Sequence, residues 1–311
     1  MKNAAFFLGK GGVGKTTLSA AFALALVGSG RKVLVASLDP AHNLGDVLGK
    51  TLSDQARNVE KNLDALEVDL AAWVERYLKE SREELKATYS YDMTLNLDSF
   101  FNIMRYSPGT EEYAVLWAIE HIRCALAADY DFVVFDTPPT ALSLRFLALP
   151  TISDLWIREL SKLRERILER RQTVTRINPT SPVASSCVDK DDDRVYGKLS
   201  SIKRRLGVLQ NYFANESYLS VVINPDVLSV SEGLRIKDEL TRIGLPLDAI
   251  CLNKRGVSTA SWSLDPRFGG IPVFDYDFLP EGIRVRDELA RVDSSALAAA
   301  FTGGGAAKGT P

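Results

Sequence analysis

Cysteine, methionine and histidine are all scarce in this 311-residue chain, at three, three and two residues respectively. Cys124, Cys187 and Cys251 form no C-x-x-C pair, which excludes a disulfide framework and a tetrahedral zinc site as organising elements. So few methionines, with only Met93 and Met104 in the helical region, make a thin version of the adaptable lining expected of a promiscuous apolar groove. Net charge is also small: −2 leaves no overall electrostatic drive toward nucleic acid, only local basic patches to consider. Nowhere do about 20 apolar residues run together, so no transmembrane helix is expected. The start, Met1-Lys2-Asn3-Ala4, enters an apolar stretch without the charged, apolar and cleavage-site succession of a secretion signal, so the expected location is the cytosol. What is abundant is core material. At 46% hydrophobic and 25% charged, the chain has no global disorder signature and suits one large domain or two modest ones.

The most informative stretch is residues 9 to 17, Gly9-Lys10-Gly11-Gly12-Val13-Gly14-Lys15-Thr16-Thr17. It lies between an apolar run (Ala4 to Leu8) and a helical-period run (Leu18, Ala21, Phe22, Ala25, Leu26), giving strand, glycine loop, helix. The spacing fits the P-loop, in which glycines let successive backbone N–H groups turn inward around phosphate oxygens at a helix N-terminus. On that reading Lys15 reaches the β- and γ-phosphates and the Thr16 hydroxyl ligates magnesium. Residues 130 to 136 form a second hydrophobic run ending in Asp136, which fits Walker B: a strand-end carboxylate holding the magnesium shell, here through water. ATP and Mg2+ are the expected cofactors, and no zinc is expected.

Lys10 makes the loop KGGVGKTT, which resembles the deviant Walker A group of nitrogenase iron proteins, partition and septum-positioning ATPases, and arsenite-pump and tail-anchored-protein-targeting (guided-entry) ATPases. In that group the first lysine crosses a dimer interface to the partner's nucleotide, so the resemblance implies a homodimer in which Lys10 is catalytic; otherwise Lys10 is a solvated loop lysine. Asp39-Pro40-Ala41-His42-Asn43 resembles the switch I segment of the arsenite-pump and guided-entry branch, where the aspartate orients or deprotonates the attacking water. Asp-Pro is also a common turn former, and His42 reads equally well as a loop histidine. Ser107-Pro108-Gly109-Thr110-Glu111-Glu112 resembles the same branch and is also a good helix start. Asp136-Thr137-Pro138-Pro139-Thr140, continuing to Pro150, resembles its switch II, with Pro138 in place of alanine and Ala141-Leu142 in place of a glycine-histidine pair. The resemblance also implies that Asn253 lies against the adenine edge and that Leu279 and Pro280 lie near the base.

Elsewhere the pattern predicts strands at 32–38, 65–69, 220–224, 247–253 and 271–274. Helices are expected over 107–128, 153–177, 196–214 and 229–243, with a last one beginning at Phe278. Another follows the 65–69 strand, with Trp73, Val74, Tyr77, Leu78 and Leu85 on a core face. The 153–177 helix carries Leu155, Trp156, Leu160, Leu163 and Ile167 on one side. Its arginines suit RNA or an acidic membrane, but a solvated face with glutamate partners is the commoner meaning. Residues 178–194 read as a disordered loop and the Ala- and Gly-rich stretch from 298 as a loose end. Together these give an α/β fold, a doubly wound, mostly parallel sheet of P-loop NTPase type. A single domain spans 1–301, with a helical subdomain from about 70–128 and 151–215 and a flexible tail over 302–311. The resemblance implies an ATP-hydrolysing homodimeric switch whose helical segments handle a hydrophobic protein client, alone or with a membrane-protein partner. An arsenite or anion pump subunit is the alternative, and a partition-type positioning ATPase a further one.

Overall fold

The computed structural model describes residues 2–88, 103–178, 189–257, 264–283 and 286–303, with side chains of 85–88 left aside. Met93, Leu85's side chain, Cys187, most of the 178–194 loop and the tail beyond 303 lie outside the described residues.

Eight strands make one sheet in the order β3-β4-β2-β5-β1-β6-β7-β8. They are β1 (Ala4–Leu8), β2 (Val33–Ser37), β3 (Arg57–Glu60), β4 (Leu63–Glu67), β5 (Phe132–Asp136), β6 (Ser217–Ile223), β7 (Ala249–Arg255) and β8 (Val273–Asp277). Every pairing is parallel except β3 with β4. The central strands β1, β2, β5 and β6 are buried along their whole length, which is why they read as continuous apolar runs instead of alternating ones. Strand β3 was not expected. It is a four-residue antiparallel edge whose charged sequence carries no apolar period.

Alternation along β1 separates two cores. Ala4, Phe6 and Leu8 pack with Leu34, Val133 and Phe135 on one face; Ala5 and Phe7 pack with Val35 and Val134 on the other. Helices α1 (Lys15–Gly28), α2 (Leu44–Leu48) and α8 (Ser295–Phe301) cover the second face. The first is covered by α3 (Leu70–Thr88), α4 (Thr110–His121), α5 (Thr140–Ile177), α6 (Arg194–Asn211) and α7 (Val227–Arg242). The fold is a doubly wound P-loop NTPase sheet. The chain leaves β1 toward one face and its neighbour β5 toward the other, which opens a crevice at their carboxyl ends.

Three expected boundaries are corrected. The helix expected at 153 begins at Thr140 and runs 38 residues straight through Pro150, whose missing N–H breaks one backbone bond without ending the helix. Gln210 of α6 donates to the Pro150 carbonyl at 3.1 Å, and Tyr113 and Ser153 share a 2.8 Å hydroxyl bond just beyond it. Phe278 starts no helix, because Pro280 and the left-handed Gly282 (φ 68°) turn the chain; a 3-10 turn, Arg286–Arg291, precedes α8. The stretch from 298 is not all loose: Leu297, Ala298 and Phe301 are buried, with Phe301 edge-on to Phe22. The core stripe holds, with Trp73, Val74 and Leu78 buried. Helix 107–128 becomes α4 followed by a π turn, Ile122–Leu126.

Candidate active site

The loop after β1 sits at the middle of the sheet's carboxyl edge. A side chain at Gly9 would put its Cβ 2.6 Å from the Val222 carbonyl, so only glycine lets the loop leave β1 beside β6. Gly14 has φ 98° and would place a Cβ 2.3 Å from the Asn253 amide, so glycine is required there too. It stands as the N-cap of the 14-residue α1, whose free N–H groups and dipole face outward at the loop. A cavity of about 630 Å³ opens there, lined by Gly11, Gly12, Gly14, Lys15, Thr16 and Thr17 from the loop. Asp39 and Asn43 line it from the segment after β2, and Asn253, Leu279 and Pro280 from the opposite side. Gly9 and Val13 are buried beneath the loop, and the Lys10 side chain is exposed outside the cavity.

Lys15 is buried, and its ammonium donates to the Lys10 carbonyl at 3.2 Å. Burial lowers its pKa below the usual lysine value; the Asp136 and Asp39 carboxylates oppose that shift. Asp136, at the end of β5, is in register with Ser37 of β2 and Phe7 of β1. Its Oδ2 accepts from Thr16 at 2.8 Å and Ser37 at 3.3 Å, while its buried Oδ1 has no hydrogen-bond partner among the described residues. Desolvation pushes this carboxyl up to about 7, against the Thr16 hydrogen bond and the Lys15 charge.

Asp39 is half-buried, its backbone N–H donating to Ser37 Oγ and its carboxylate accepting from the Ala41 N–H at 3.1 Å. Pro40 and Ala41 are exposed. His42 adopts φ 51° and points Nδ1 at Glu67 Oε2, 3.7 Å away; Glu67 also accepts from the Gly45 N–H at 2.9 Å. Beyond Asp136, Thr137 donates to the Phe7 carbonyl at 2.7 Å and Ser143 to the Pro138 carbonyl at 2.6 Å, which seats Pro138-Pro139 against β1 before Thr140 opens α5. Arg145, in the second turn of α5, donates to buried Glu112 at 3.0 Å, joining this segment to the Ser-Pro-Gly helix start.

A family model described as anion-transporting ATPase matches residues 2–261. The chain belongs to that family. Among curated proteins it is 29% identical over 249 residues to "Putative arsenical pump-driving ATPase 2" of Aquifex aeolicus (strain VF5), covering 80% of this chain and 79% of that one. It is likewise 29% identical over 259 residues to "Putative arsenical pump-driving ATPase 1" of the same organism, where it spans 62% of the relative's length. This member of the family is an ATPase, and nucleotide binding is part of its activity. No described helix of it is long and apolar enough to cross a membrane.

Three residues of the site escaped sequence reasoning. Ser37 ends β2 beside Asp136, Glu67 ends β4 beneath His42, and Lys254 follows Asn253. Their shared signal is position, since each lies at or near the carboxyl end of a strand, where open α/β sheets place ligands.

Proposed function

We propose that the cavity binds ATP with magnesium and that the ATPase uses hydrolysis to handle a hydrophobic protein client. The N–H groups of residues 11 to 16 and the α1 dipole suit the triphosphate, with Lys15 on the β- and γ-oxygens. The residues present fit a magnesium ion. Thr16 Oγ1 would be its direct ligand, and Asp136, whose Oδ2 accepts from Thr16 and whose buried Oδ1 has no hydrogen-bond partner among the described residues, would hold it through water. Magnesium supplies charge neutralisation on the phosphate oxygens. Asp39, which lines the cavity, takes the proton of the attacking water. Lys10, exposed and outside the cavity, serves the partner subunit's nucleotide in a cytosolic homodimer.

The observation that carries the client reading is on α5. Leu155, Trp156, Leu160 and Leu163 are all exposed along one side of a helix that starts four residues after Asp136. A groove of about 460 Å³ runs beside them, lined by Tyr77, Trp117, Ile152, Trp156 and Ile202. Exposed apolar surface on this scale marks an interaction site. Because α5 is continuous, about 57 Å long at 1.5 Å per residue, a shift at Thr137 to Thr140 moves the apolar face as one rod. The arginines of α5 include several ion pairs, such as Arg158 with Asp154 and Arg164 with Asp193, which suits the solvated-face reading over nucleic acid. Asp39→Asn protein with ATP should keep a synthetic transmembrane peptide soluble, and precipitation equal to that without protein would refute the client reading.

The relatives' names favour a second reading, an anion-pump ATPase. Against it, buried Cys251 and exposed Cys124 share no thiolate cluster among the described residues.

A further inference from the structure

The end of β7 grips the phosphate loop. Asn253 Nδ2 donates to the Val13 carbonyl at 2.8 Å, and Asn253 Oδ1 accepts from the Lys254 N–H at 2.8 Å. Lys254 Nζ then donates to the Gly12 carbonyl at 2.9 Å. Lys254 holds φ 57°, a left-handed conformation that an unbranched L-residue adopts at a cost, and such strain persists where the surroundings require it. A loop that turns successive N–H groups toward an anion must turn carbonyls elsewhere, and each needs a donor. Gly12 and Val13 receive theirs from two consecutive residues of a strand three positions away in the sheet order from β5.

We propose that Lys254 is a positioning residue for the ATPase reaction, its ammonium holding the Gly12 peptide so that the loop keeps its anion-receiving form. This rests on the cavity being the nucleotide site. The consequence is that Lys254, which also lines the cavity, sets affinity for the triphosphate and not the rate of the chemical step.

The test uses the full chain and measures dissociation constants for ATP and for inorganic triphosphate by calorimetry, with KM and kcat alongside. Lys254→Met keeps the stem and removes the donor. One charged hydrogen bond at a half-exposed site corresponds to a loss of about three- to tenfold, expected equally for ATP and inorganic triphosphate, with kcat nearly unchanged. Lys254→Arg, which still donates, should recover most of it. Lys254→Gly should weaken both ligands as much as Lys254→Met while leaving the nucleotide-free melting temperature no lower than wild type, since glycine adopts φ 57° without strain. Weakening of ATP alone would mean that the stem acts on the base and would overturn the proposal. So would unchanged affinities, or a fall in melting temperature matching the loss of affinity. Lys15→Ala separates the two levels: if it binds inorganic triphosphate normally, the phosphate-loop reading itself fails; if it does not, the Lys254 result stands alone.

Discussion

Trp156→Ser is the substitution that most sharply separates a client surface from an ordinary helix face. Trp156 is 67% exposed on α5, beside the groove. A tryptophan presents on the order of 200 Å², so about 130 Å² is open to a client and about 70 Å² already packs within the protein. At about 25 cal/mol per Å², full coverage would contribute about 3 kcal/mol to capture and the existing packing about 1.5 kcal/mol to stability. Coverage by a mobile apolar segment is incomplete, so capture should weaken by about tenfold or more, while the melting temperature falls by only about 2–4 °C for a chain of this size. The assay is fluorescence anisotropy of a labelled transmembrane peptide titrated with Asp39→Asn protein in ATP and magnesium. Val227, 84% exposed at the start of α7, is the control: Val227→Ser removes exposed apolar surface that does not line the groove and should leave capture unchanged. Equal capture by wild type and Trp156→Ser, or an equal loss in Val227→Ser, would refute the assignment of α5.

Lys10→Ala and Asp39→Ala should each be inactive, yet their mixture should recover roughly a quarter of wild-type turnover: random exchange makes about half the dimers mixed, with one whole site in each. No recovery after verified exchange would place Lys10 on its own subunit's nucleotide. Asp136 should make the metal-free, nucleotide-free protein less stable as pH rises. Its carboxyl is raised from 3.8 to about 7 in the fold, so between those values the native state holds the extra proton and stability falls with increasing pH, levelling off above about 7. Asp136→Asn removes that slope, so its melting-temperature advantage over wild type should grow from pH 5 to pH 8 in chelator; a constant difference would contradict the desolvated carboxylate.

The engine was legible because its parts obey local rules. Glycine spacing between a strand and a helix, and a buried strand ending in Asp136, carry their chemistry in the sequence itself. The central strands were legible because burial on both faces leaves continuous apolar runs, whereas β3, a four-residue edge strand with Val59 as its one apolar residue, left no pattern. Proline punctuation misled at Pro150, where Gln210 and the Tyr113–Ser153 bond support a helix that local rules would end. The apolar stripe of α5 was visible as a period, but only the fold shows that nothing described in this chain covers it. Lys254 was invisible because its function lies in a bond across 242 residues to a carbonyl.

The central claim is that this ATPase couples hydrolysis to an apolar protein segment. It is tested most directly by steady-state ATP turnover of the full chain, titrated in parallel with a solubilised transmembrane peptide and with arsenite. The peptide should change the rate saturably, Trp156→Ser should shift that response to higher peptide concentration, and arsenite should be inert. A rate that responds to arsenite and ignores the peptide would contradict it.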